Sequence, residues 1–536
     1  MKLLVGGPIY PLPGRGSVEA LLLDGPRVVR AGSLSACREA GPGAVEVDLG
    51  NRTVMPGFVD AHCHPLMFGQ TLTWVDCSPG RASSIDAIVD ALTAVVASLP
   101  RGATVRGFGY NPLSLAEQRN PTAADLDRVS STTPVYLMNA SGHGGVANSA
   151  LMRQAGITDD TPTPSGGTIE RDPSGKPTGV FWDAACDLLT GADGVKVGNH
   201  GPNFHLPDSP TTLKNQLITA DEYFLSRGIT SVGDAQVTAR ELGAYVSAAR
   251  SLNAKYSMYF LSSSLPEVID GSFGKELTSS RQWVAGVKLY VDGAFSGRTA
   301  FLPEGYVSDP CCTGMLYHPW EEYASLVETA HRAGIQTASH AQGSAAIALV
   351  IAAVRSAVLE SPHPDSRHRV EHAGLITFDQ IRQLVRLAMI PVTQPEKHLR
   401  YGENVMAAVG RVAGGRFNPY GDYVRAGADV VLSSDAPVSA PHPLREIAAA
   451  VNRRTPTGEV LGGLGLRMSR RNAIIAHTRA AARALRRETR IGSLAPGRDA
   501  DLAVLARDPH TVPQGEIGDI EVEETWIDGE PVFTKG

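Results

Sequence analysis

Cysteine is scarce in this chain, and its spacing is irregular. Six cysteines are spread over 536 residues, and none of them forms a Cys-x-x-Cys pair. A disulfide framework relies on cysteines that are paired and regularly spaced. The pattern therefore favours reduced thiols and a cytoplasmic location over a fold held together by disulfides.

Long apolar runs and blocks of basic residues are also missing. No stretch approaches the roughly 20 apolar residues that span a membrane, and the opening segment MKLLVGGPIYPLPG breaks at Gly-Gly-Pro before a signal-peptide core can form. The net charge is −6, which argues against nucleic acid as a partner. We expect a soluble protein with a small-molecule substrate and, as the commonest oligomer, a homodimer.

What the chain does contain is a repeated alternation of strand and helix patterns. Its 43% hydrophobic and 19% charged residues are typical of a well-packed protein. Eight short apolar runs, most of them followed by a helical pattern, predict an α/β fold, a (β/α)8 TIM-like barrel. The runs are VMPGFVDAH, GITSVGDA, KYSMYFL, GVKLYVDG, IQTASHA, HRVEHAG, IPVTQPE and DVVLSSDAP.

Short strands and turns dominate both ends of the chain. Strands at two chain ends often pair, so residues 1–54 and 490–536 predict one small β-sandwich around a barrel at 55–489. Well over a hundred residues separate the first two barrel strands, far more than an ordinary loop. We therefore predict an inserted cap subdomain at 66–205, on the active-site face.

The first barrel strand runs into the sequence GFVDAHCHP. Side chains alternate along a strand, so His62 and His64 would share one face while Cys63 points to the other. Two neighbouring imidazoles suit a metal ion, because neutral imidazole is a common ligand. The pair alone could equally be two polar residues that cap a strand.

Other polar residues recur at the ends of later barrel strands, where active sites of such barrels lie. The fourth strand carries Lys288, and the fifth, sixth and eighth end in His340, His372 and Asp435. Taken singly, each could be a hydrogen-bonded core group. Their arrival at one barrel mouth predicts a metal site.

Lys288 fits such a site only in a modified form. A protonated ammonium repels a cation, but a lysine near cations loses its proton, and the neutral amine can take up CO2 to form a carbamate. A carbamate has two oxygens and can bridge two metal ions. The alternative is an ordinary ion-paired or snorkelling lysine.

The motifs that carry these residues, taken in order, resemble the amidohydrolase superfamily. They are PGFVDAHCHP, VKLYVDG, SHAQG, RVEHAG and LSSDAPV, and the C-terminal GSLAPGRDADLAVL is similar to the segment by which such chains return to the sandwich. The nearest resemblance is to the amidohydrolase-3 branch, the YtcJ-like proteins that include N-substituted formamide deformylases. It covers nearly the whole chain.

This resemblance implies one or two divalent metal ions, zinc first, with N-carboxylated Lys288 as a bridge. Manganese, iron, cobalt and nickel stay open. The ligands of one ion would be His62, His64 and Asp435, and those of the other His340 and His372.

The substrate contacts that the resemblance implies come partly from the insertion. RGFGY and SGHGGVANSA are similar to the same branch, so Tyr110 and His143 would reach the substrate, and Arg298 would meet an anionic or carbonyl part of it. Loop-packing roles are the alternative. The full set of expected substrate contacts is Tyr110, His143, Arg298, Gln394, Trp74 and His398.

Three segments depart from the branch. The segment after Lys288, DGAFSGRTAFLPEG, is near but not equal to the usual glycine-serine-arginine pattern. The residues after His340 are Ala341-Gln342-Gly343-Ser344 in place of a sequence such as A-I-G-D, so an acidic neighbour is missing and another group must orient the imidazole. The stretch GVKVGNHGPNFHLPDSP matches no pattern known to us, which leaves His200 and His205 without a role.

The predicted reaction is hydrolysis of a C–N bond, most simply in an N-formyl or N-acyl amide. Divalent metal ions bring the pKa of bound water towards neutrality. Asp435 would act as general base, and His143 would help to stabilise the oxyanion.

Three alternatives stay open. A mononuclear deaminase of an amino-heterocycle would share His-x-His and the late Asp, but would lack the bridging Lys and carry an acidic residue after the fifth-strand His. A catalytically silent binding protein would be expected to lose ligands, and this chain retains them all. A lactone, cyclic imide or urea-like substrate would use the same chemistry.

Overall fold

The computed structural model describes residues 1–100, 102–191, 194–203 and 206–536. No helix within them is both long and apolar enough to cross a membrane. The strands are β1 (Lys2–Ile9), β2 (Val18–Asp24), β3 (Arg27–Gly32), β4 (Val45–Asp48), β5 (Thr53–Pro56), β6 (Phe58–Cys63), β7 (Val75–Asp76), β8 (Val105–Tyr110), β9 (Val135–Asn139), β10 (Gly144–Ala147), β11 (Gly167–Arg171), β12 (Pro177–Asp183), β13 (Ile229–Val237), β14 (Lys255–Leu261), β15 (Gln282–Tyr290), β16 (Gln336–Ala341), β17 (Arg369–His372), β18 (Ile390–Thr393), β19 (Val431–Leu432), β20 (Leu502–Leu505), β21 (Val522–Ile527) and β22 (Glu530–Thr534).

Helices occupy most of the connections between these strands. The α-helices are α1 (Leu34–Ala40), α2 (Pro65–Thr71), α3 (Ile85–Val96), α4 (Ala123–Asp127), α5 (Ser149–Gln154), α6 (Pro210–Ser226), α7 (Ala239–Ala248), α8 (Leu265–Ile269), α9 (Ser272–Glu276), α10 (Trp320–Arg332), α11 (Ser344–Glu360), α12 (Phe378–Arg386), α13 (Glu396–Val409), α14 (Arg411–Gly415), α15 (Tyr420–Ala426), α16 (Pro443–Asn452), α17 (Arg470–Ala476) and α18 (Arg479–Ala484).

Eight parallel strands form the barrel, in the order β6, β13, β14, β15, β16, β17, β18 and β19. Two backbone hydrogen bonds join the first strand to the last at the carboxyl ends. The Asp435 amide donates to the His62 carbonyl and the His64 amide donates to the Ala436 carbonyl, each at 2.8 Å. This arrangement confirms the predicted TIM-like barrel.

The barrel strands are buried on both faces, as the continuous apolar runs predict. One cluster of buried side chains joins Val59 and Ala61 of β6 to Ala338 of β16, Val392 of β18 and helix α18. A second, larger cluster packs other strand residues against the surrounding helices. The strands therefore sit in a packed core that holds their carboxyl ends in fixed positions.

The first βα unit of the barrel is interrupted by a separate sheet. Helix α2 starts directly after His64 and packs against α6, and the chain between them forms a six-stranded sheet in the order β11, β12, β10, β9, β8 and β7. A hydrophobic cluster of its own, which includes Ile88 and Leu137, fills the space between this sheet and α3. The sheet lies within the predicted insertion, which also covered most of α2.

Strands from both chain ends share the third sheet. Its order is β22, β21, β20, β5, β1, β2 and β3, with β4 beside β1, and β5 from the N-terminal segment pairs antiparallel with β20 from the C-terminal one. Lys255, the first residue of β14, links this sheet to the barrel: its ammonium donates to Asp499 at 2.8 Å, Asp501 at 2.6 Å and Asp528 at 2.9 Å. The structure shows one continuous sheet here, so the predicted two-layered sandwich stays a prediction. The predicted domain boundaries stay predictions as well.

Candidate metal centre and active site

Three buried side chains meet where the first and eighth barrel strands join. The Nε2 atoms of His62 and His64 each lie 3.3 Å from Oδ1 of Asp435. One ligand atom from each residue lies within 4.8 Å of the others, which is the spacing of a metal-binding group. Asp435 has a left-handed backbone with φ of 58°, the kind of strain that persists at functional sites.

The hydrogen bonds of His62 show which of its nitrogens can bind a cation. Its Nδ1 donates to Oε2 of Glu371, and this partner assigns the ring proton to Nδ1. The buried Nε2, which forms no hydrogen bond with any described residue, then presents a lone pair to the Asp435 carboxylate. Because a lone pair and a carboxylate oxygen repel each other, the pair fits a cation placed between them.

Glu371 is a member of the centre that the sequence did not reveal. It is fully buried and accepts two hydrogen bonds from Arg369, at 2.7 and 2.8 Å, besides the one from His62. Burial alone would raise the pKa of Glu371, but the Arg369 guanidinium and the His62 ring outweigh it and hold the pKa at about 2. An ionised Glu371 therefore fixes the orientation of His62.

His340 and His372 form a second group beside the first. Their ring centroids are 4.4 Å apart, and the His62 ring centroid is 5.0 Å from that of His372. Burial holds the pKa of both well below the usual value and lowers the pKa of His64 to about 4. All three rings are therefore neutral at pH 7 and can offer lone pairs to a metal ion.

Lys288 lies fully buried next to these histidines. Its Nζ forms no hydrogen bond within the described part of the chain and sits 4.7 Å from the centroid of the Tyr290 ring. Burial lowers the pKa of Lys288 to about 8, although Glu371 and Asp435 pull it upward. A buried amine that loses its proton easily is the chemical requirement for carbamate formation.

The group that orients His340 comes from the loop after β15. Its Nε2 donates to the Gly293 carbonyl at 3.1 Å and lies 3.8 Å from Oδ1 of Asp292. The buried Asp292 carboxylate accepts hydrogen bonds from the amides of Phe301, Gln342 and Gly343, each at 2.9 Å. The Gly293 carbonyl thus orients His340 in place of the acidic residue missing after it, with the Asp292 carboxylate nearby.

A second lysine, Lys397, also faces the centre and was not expected. It lies in the first turn of α13, directly after β18, and its Nζ donates to Oδ2 of Asp435 at 2.9 Å. Burial alone would raise the pKa of Asp435, but the Lys397 ammonium outweighs it and holds the pKa well below its usual range. The carboxylate is therefore ionised throughout the physiological range of pH.

The five proposed ligand side chains and the two lysines line a cavity between the barrel mouth and the inserted sheet. His143, from the insertion, reaches this cavity as expected: its ring centroid is 5.3 Å from that of His340, and its Nδ1 donates to Asp183 at 2.7 Å. Tyr317 also donates to Asp183, at 2.5 Å. The remaining walls are mainly apolar and neutral polar, and include Met67, Leu113, Phe295, Tyr401, Val405 and Phe417.

The other expected substrate contacts lie elsewhere. Gln394 accepts a hydrogen bond from Nδ1 of His372 at 2.7 Å, so it orients that imidazole. Tyr110 is buried in the core of the inserted sheet and donates to Asn120 at 3.2 Å. Neither residue lines the cavity.

Three more of these residues are also absent from the cavity walls. Arg298 is exposed, Trp74 packs edge-on against Tyr136, and His398 is buried, with its Nε2 3.1 Å from the Phe417 carbonyl. The sequence placed them near the mouth through loop position alone, which does not fix the direction of a side chain.

Of the two histidines that the sequence left without a role, the structure describes one. His200 shares a hydrogen bond with Ser262 at 2.8 Å, and its ring centroid is 5.3 Å from that of His318. His205 lies outside the described residues.

Known proteins resemble this chain over nearly its whole length. The chain is 30% identical to the N-substituted formamide deformylase of Arthrobacter pascens, over 98% of this chain and 97% of that one. It is 28% identical to the amidohydrolase YtcJ of Bacillus subtilis (strain 168), over 99% of both chains. An uncharacterized metal-dependent hydrolase from Pyrococcus horikoshii OT3 superposes with a TM-score of 0.75 at 25% identity, over 96% of this chain and 99% of that one.

A sequence model of one family covers most of the chain. It matches residues 45–533, from the end of the N-terminal segment to the last strand, and its description is "Amidohydrolase family". The match spans the candidate ligand residues of both groups and confirms the resemblance found in the motifs. The chain therefore belongs to the amidohydrolase family.

Proposed function

We propose that this protein hydrolyses a C–N bond of a small molecule, most simply the amide of an N-formyl or N-acyl group, with a divalent metal ion. The observation that carries the proposal is the lone pair of His62 Nε2, which faces the Asp435 carboxylate at 3.3 Å beside His64 at the cavity floor. The 30% identity to an N-substituted formamide deformylase supports formamides as the first substrates to test.

His62, His64 and Asp435 would hold the metal ion, and zinc suits imidazole and carboxylate ligands. When bound, the metal supplies a Lewis acid and brings the pKa of water towards neutrality. Lys397 keeps Asp435 ionised, so the carboxylate is ready to accept a proton from the attacking water and return it to the leaving amine. Released amine and carboxylate, formate in the simplest case, balance the reaction.

His143 is the group best placed to meet the scissile carbonyl from the insertion side. Its Nδ1 is held by Asp183, which fixes the ring at the cavity wall. A ring held in this way can donate to the oxygen on which negative charge develops. His143 would thus share the stabilisation of the oxyanion with the metal ion.

A second ion would use His340 and His372, with Lys288 as the third contributor. CO2 adds to the neutral Lys288 amine, and loss of one proton leaves a carbamate with two oxygen ligands. The fit rests on the buried Nζ, which forms no hydrogen bond within the described residues, and on the adjoining neutral imidazoles.

Asp435→Asn tests the proposed base. We expect turnover of an N-substituted formamide by the zinc-loaded variant to fall by roughly 10²–10⁴-fold or more, while circular dichroism shows an intact fold. Asp221→Asn, a buried carboxylate on α6 that caps the Asn253 and Ala254 amides, is the matched control and should keep normal turnover. A metal-loaded Asp435→Asn protein with wild-type turnover would contradict the assignment.

The substrate panel should also contain a lactone, a cyclic imide and an amino-heterocycle. Release of amine and formate from the formamide is the expected result. Turnover of the amino-heterocycle alone, with release of ammonia, would contradict amide hydrolysis and support deamination.

A further inference from the structure

Lys397 places a positive charge beside the second ligand group of the metal centre. Its side chain is buried and lines the cavity, with Nζ 2.9 Å from Oδ2 of Asp435 and 3.3 Å from Nδ1 of His372. Gln394 donates through Nε2 to Ser433 at 3.1 Å, so its Oε1 is the atom that accepts from His372 Nδ1. That nitrogen carries a proton, so the Lys397 ammonium faces an N–H group whose hydrogen is also positively polarised.

The two ligand groups also differ in their negative charge. The first group contains the Asp435 carboxylate, whose Oδ1 faces both His62 and His64. The second consists of His340, His372 and Lys288, which carry no negative charge until Lys288 is carboxylated. Two carboxylates lie near this group, Asp292 at 3.8 Å from His340 and Oδ2 of Asp435 at 3.8 Å from His372, but Asp292 already accepts three backbone amides and Oδ2 of Asp435 accepts the Lys397 ammonium.

We propose that the two metal sites are unequal and that Lys397 makes them so. The ion held by His62, His64 and Asp435 binds tightly, because this site has an anionic ligand atom, Oδ1 of Asp435, while the ammonium is paired with the opposite oxygen. The ion expected at His340 and His372 binds weakly, because a fixed positive charge lies 3.3 Å from a ring atom of one of its ligands. The assignment rests on the proposed metal centre and goes beyond it by naming the residue that sets the order of loading.

The experiment compares wild type, Lys397→Met and Lys397→Arg in buffers that contain bicarbonate. Lys397→Met keeps the length of the side chain without the charge, whereas Lys397→Arg keeps the charge. Each protein is stripped with a chelator and titrated with Zn²⁺ against a chromophoric competitor, and metal per chain is measured after desalting. Thermal unfolding and circular dichroism report whether each variant is folded.

Wild type should retain one equivalent after desalting and bind the second at least roughly tenfold more weakly. Lys397→Met should retain two equivalents or narrow the gap between the two affinities by about tenfold, and Lys397→Arg should keep the wild-type gap. Two ions of equal affinity in wild type would overturn the inference even if the Met variant fails to fold. An unchanged gap in folded Lys397→Met would overturn it as well.

These outcomes separate the inference from the proposed function. Two equal ions together with formamide hydrolysis would remove the role of Lys397 and leave the hydrolase intact. Failure to bind Zn²⁺ at any concentration would remove the proposed metal centre itself, and the inference with it.

Discussion

At the scale of single residues, the proposed metal centre depends on which nitrogen of His62 and of His372 can bind a cation. The His62 Nδ1 is taken by Glu371 and the His372 Nδ1 by Gln394, so in both rings the other nitrogen is left for a cation. Partners of this kind are as much a part of a metal site as its ligands, because they fix the tautomer and the direction of the ring. The sequence indicated the ligands but not these partners.

The reason lies in local backbone geometry. Strand alternation predicts that Glu371 and His372 point to opposite faces of β17, yet both contact the His62 ring. His372 has a φ of 69°, which breaks the alternation at the strand end. Lys397 and Asp292 lie beyond their strands, on a helix and in a loop, where a periodic pattern gives no direction.

Glu371→Gln tests the role of the carboxylate behind His62. Because the substitution removes the ionised partner of His62, we expect the affinity of the first metal site to fall by roughly 10–100-fold. The buried Arg369 also loses its counter-ion, so the free energy of unfolding should fall by about 3–5 kcal/mol. Metal titration and urea denaturation measure the two effects.

Asp221→Asn again provides the control, since this buried carboxylate caps a distant loop and should change stability without changing metal affinity. A folded Glu371→Gln protein with wild-type metal affinity would show that His62 is oriented without Glu371.

At the scale of elements, the eight predicted apolar runs each overlap a barrel strand, because strands buried on both faces leave a continuous hydrophobic signal. The last run, 429–437, contains only the short strand β19, since the chain leaves the sheet at Ser433 to deliver Asp435. Most strands of the inserted sheet could not be predicted from the sequence. Strands such as β11 and β12 are short and pair antiparallel inside the insertion. No hydrophobic periodicity in the sequence predicts such pairing.

A chain of hydrogen bonds joins α10 to the start of β17 at the other end of the barrel. The Thr337 amide donates to His368 Nδ1 at 3.1 Å, His368 Nε2 then donates to His331 Nδ1 at 2.9 Å, and His331 Nε2 donates to the Ser361 carbonyl at 2.6 Å. Both rings are neutral in this arrangement. Burial, together with the nearby Arg486 guanidinium, lowers the pKa of His368 to about 3.

This relay predicts a pH dependence of stability. The unfolded chain takes up a proton on His368 near pH 6.5, but the folded protein does not until about pH 3. The contribution of His368 to stability is therefore intact above pH 6.5 and declines as the pH falls towards 3, by up to about 1.4 kcal/mol per pH unit. His368→Gln should flatten this decline, as measured by urea denaturation between pH 7 and pH 4.

Thr337→Val is the matched control for the relay. It removes the hydroxyl that lies 2.9 Å from His368 Nδ1 but keeps the imidazole, so it should lower stability at every pH and preserve the decline. Equal slopes for wild type and His368→Gln would mean that His368 does not govern this pH range.

At the scale of the whole molecule, the chain folds around one barrel whose mouth is covered by an insertion and whose flank carries a sheet from both chain ends. The buried Lys255, which binds three aspartates of the terminal sheet, anchors that sheet to β14. The sequence anticipated this plan through the length of the gap after His64 and the strand-rich ends. It could not anticipate which insertion residues enter the cavity, and of the six expected substrate contacts only His143 lines it.

Metal-dependent amide hydrolysis is tested most directly with an N-substituted formamide, offered to chelator-treated and to zinc-reconstituted protein, with formate and amine quantified together. We expect no turnover in the stripped protein. Reconstitution should restore turnover with equal amounts of formate and amine, and His62→Ala should prevent that recovery. Equal turnover by stripped and reconstituted protein would contradict the proposed function, because the amide would then be cleaved without the metal that His62, His64 and Asp435 are arranged to bind.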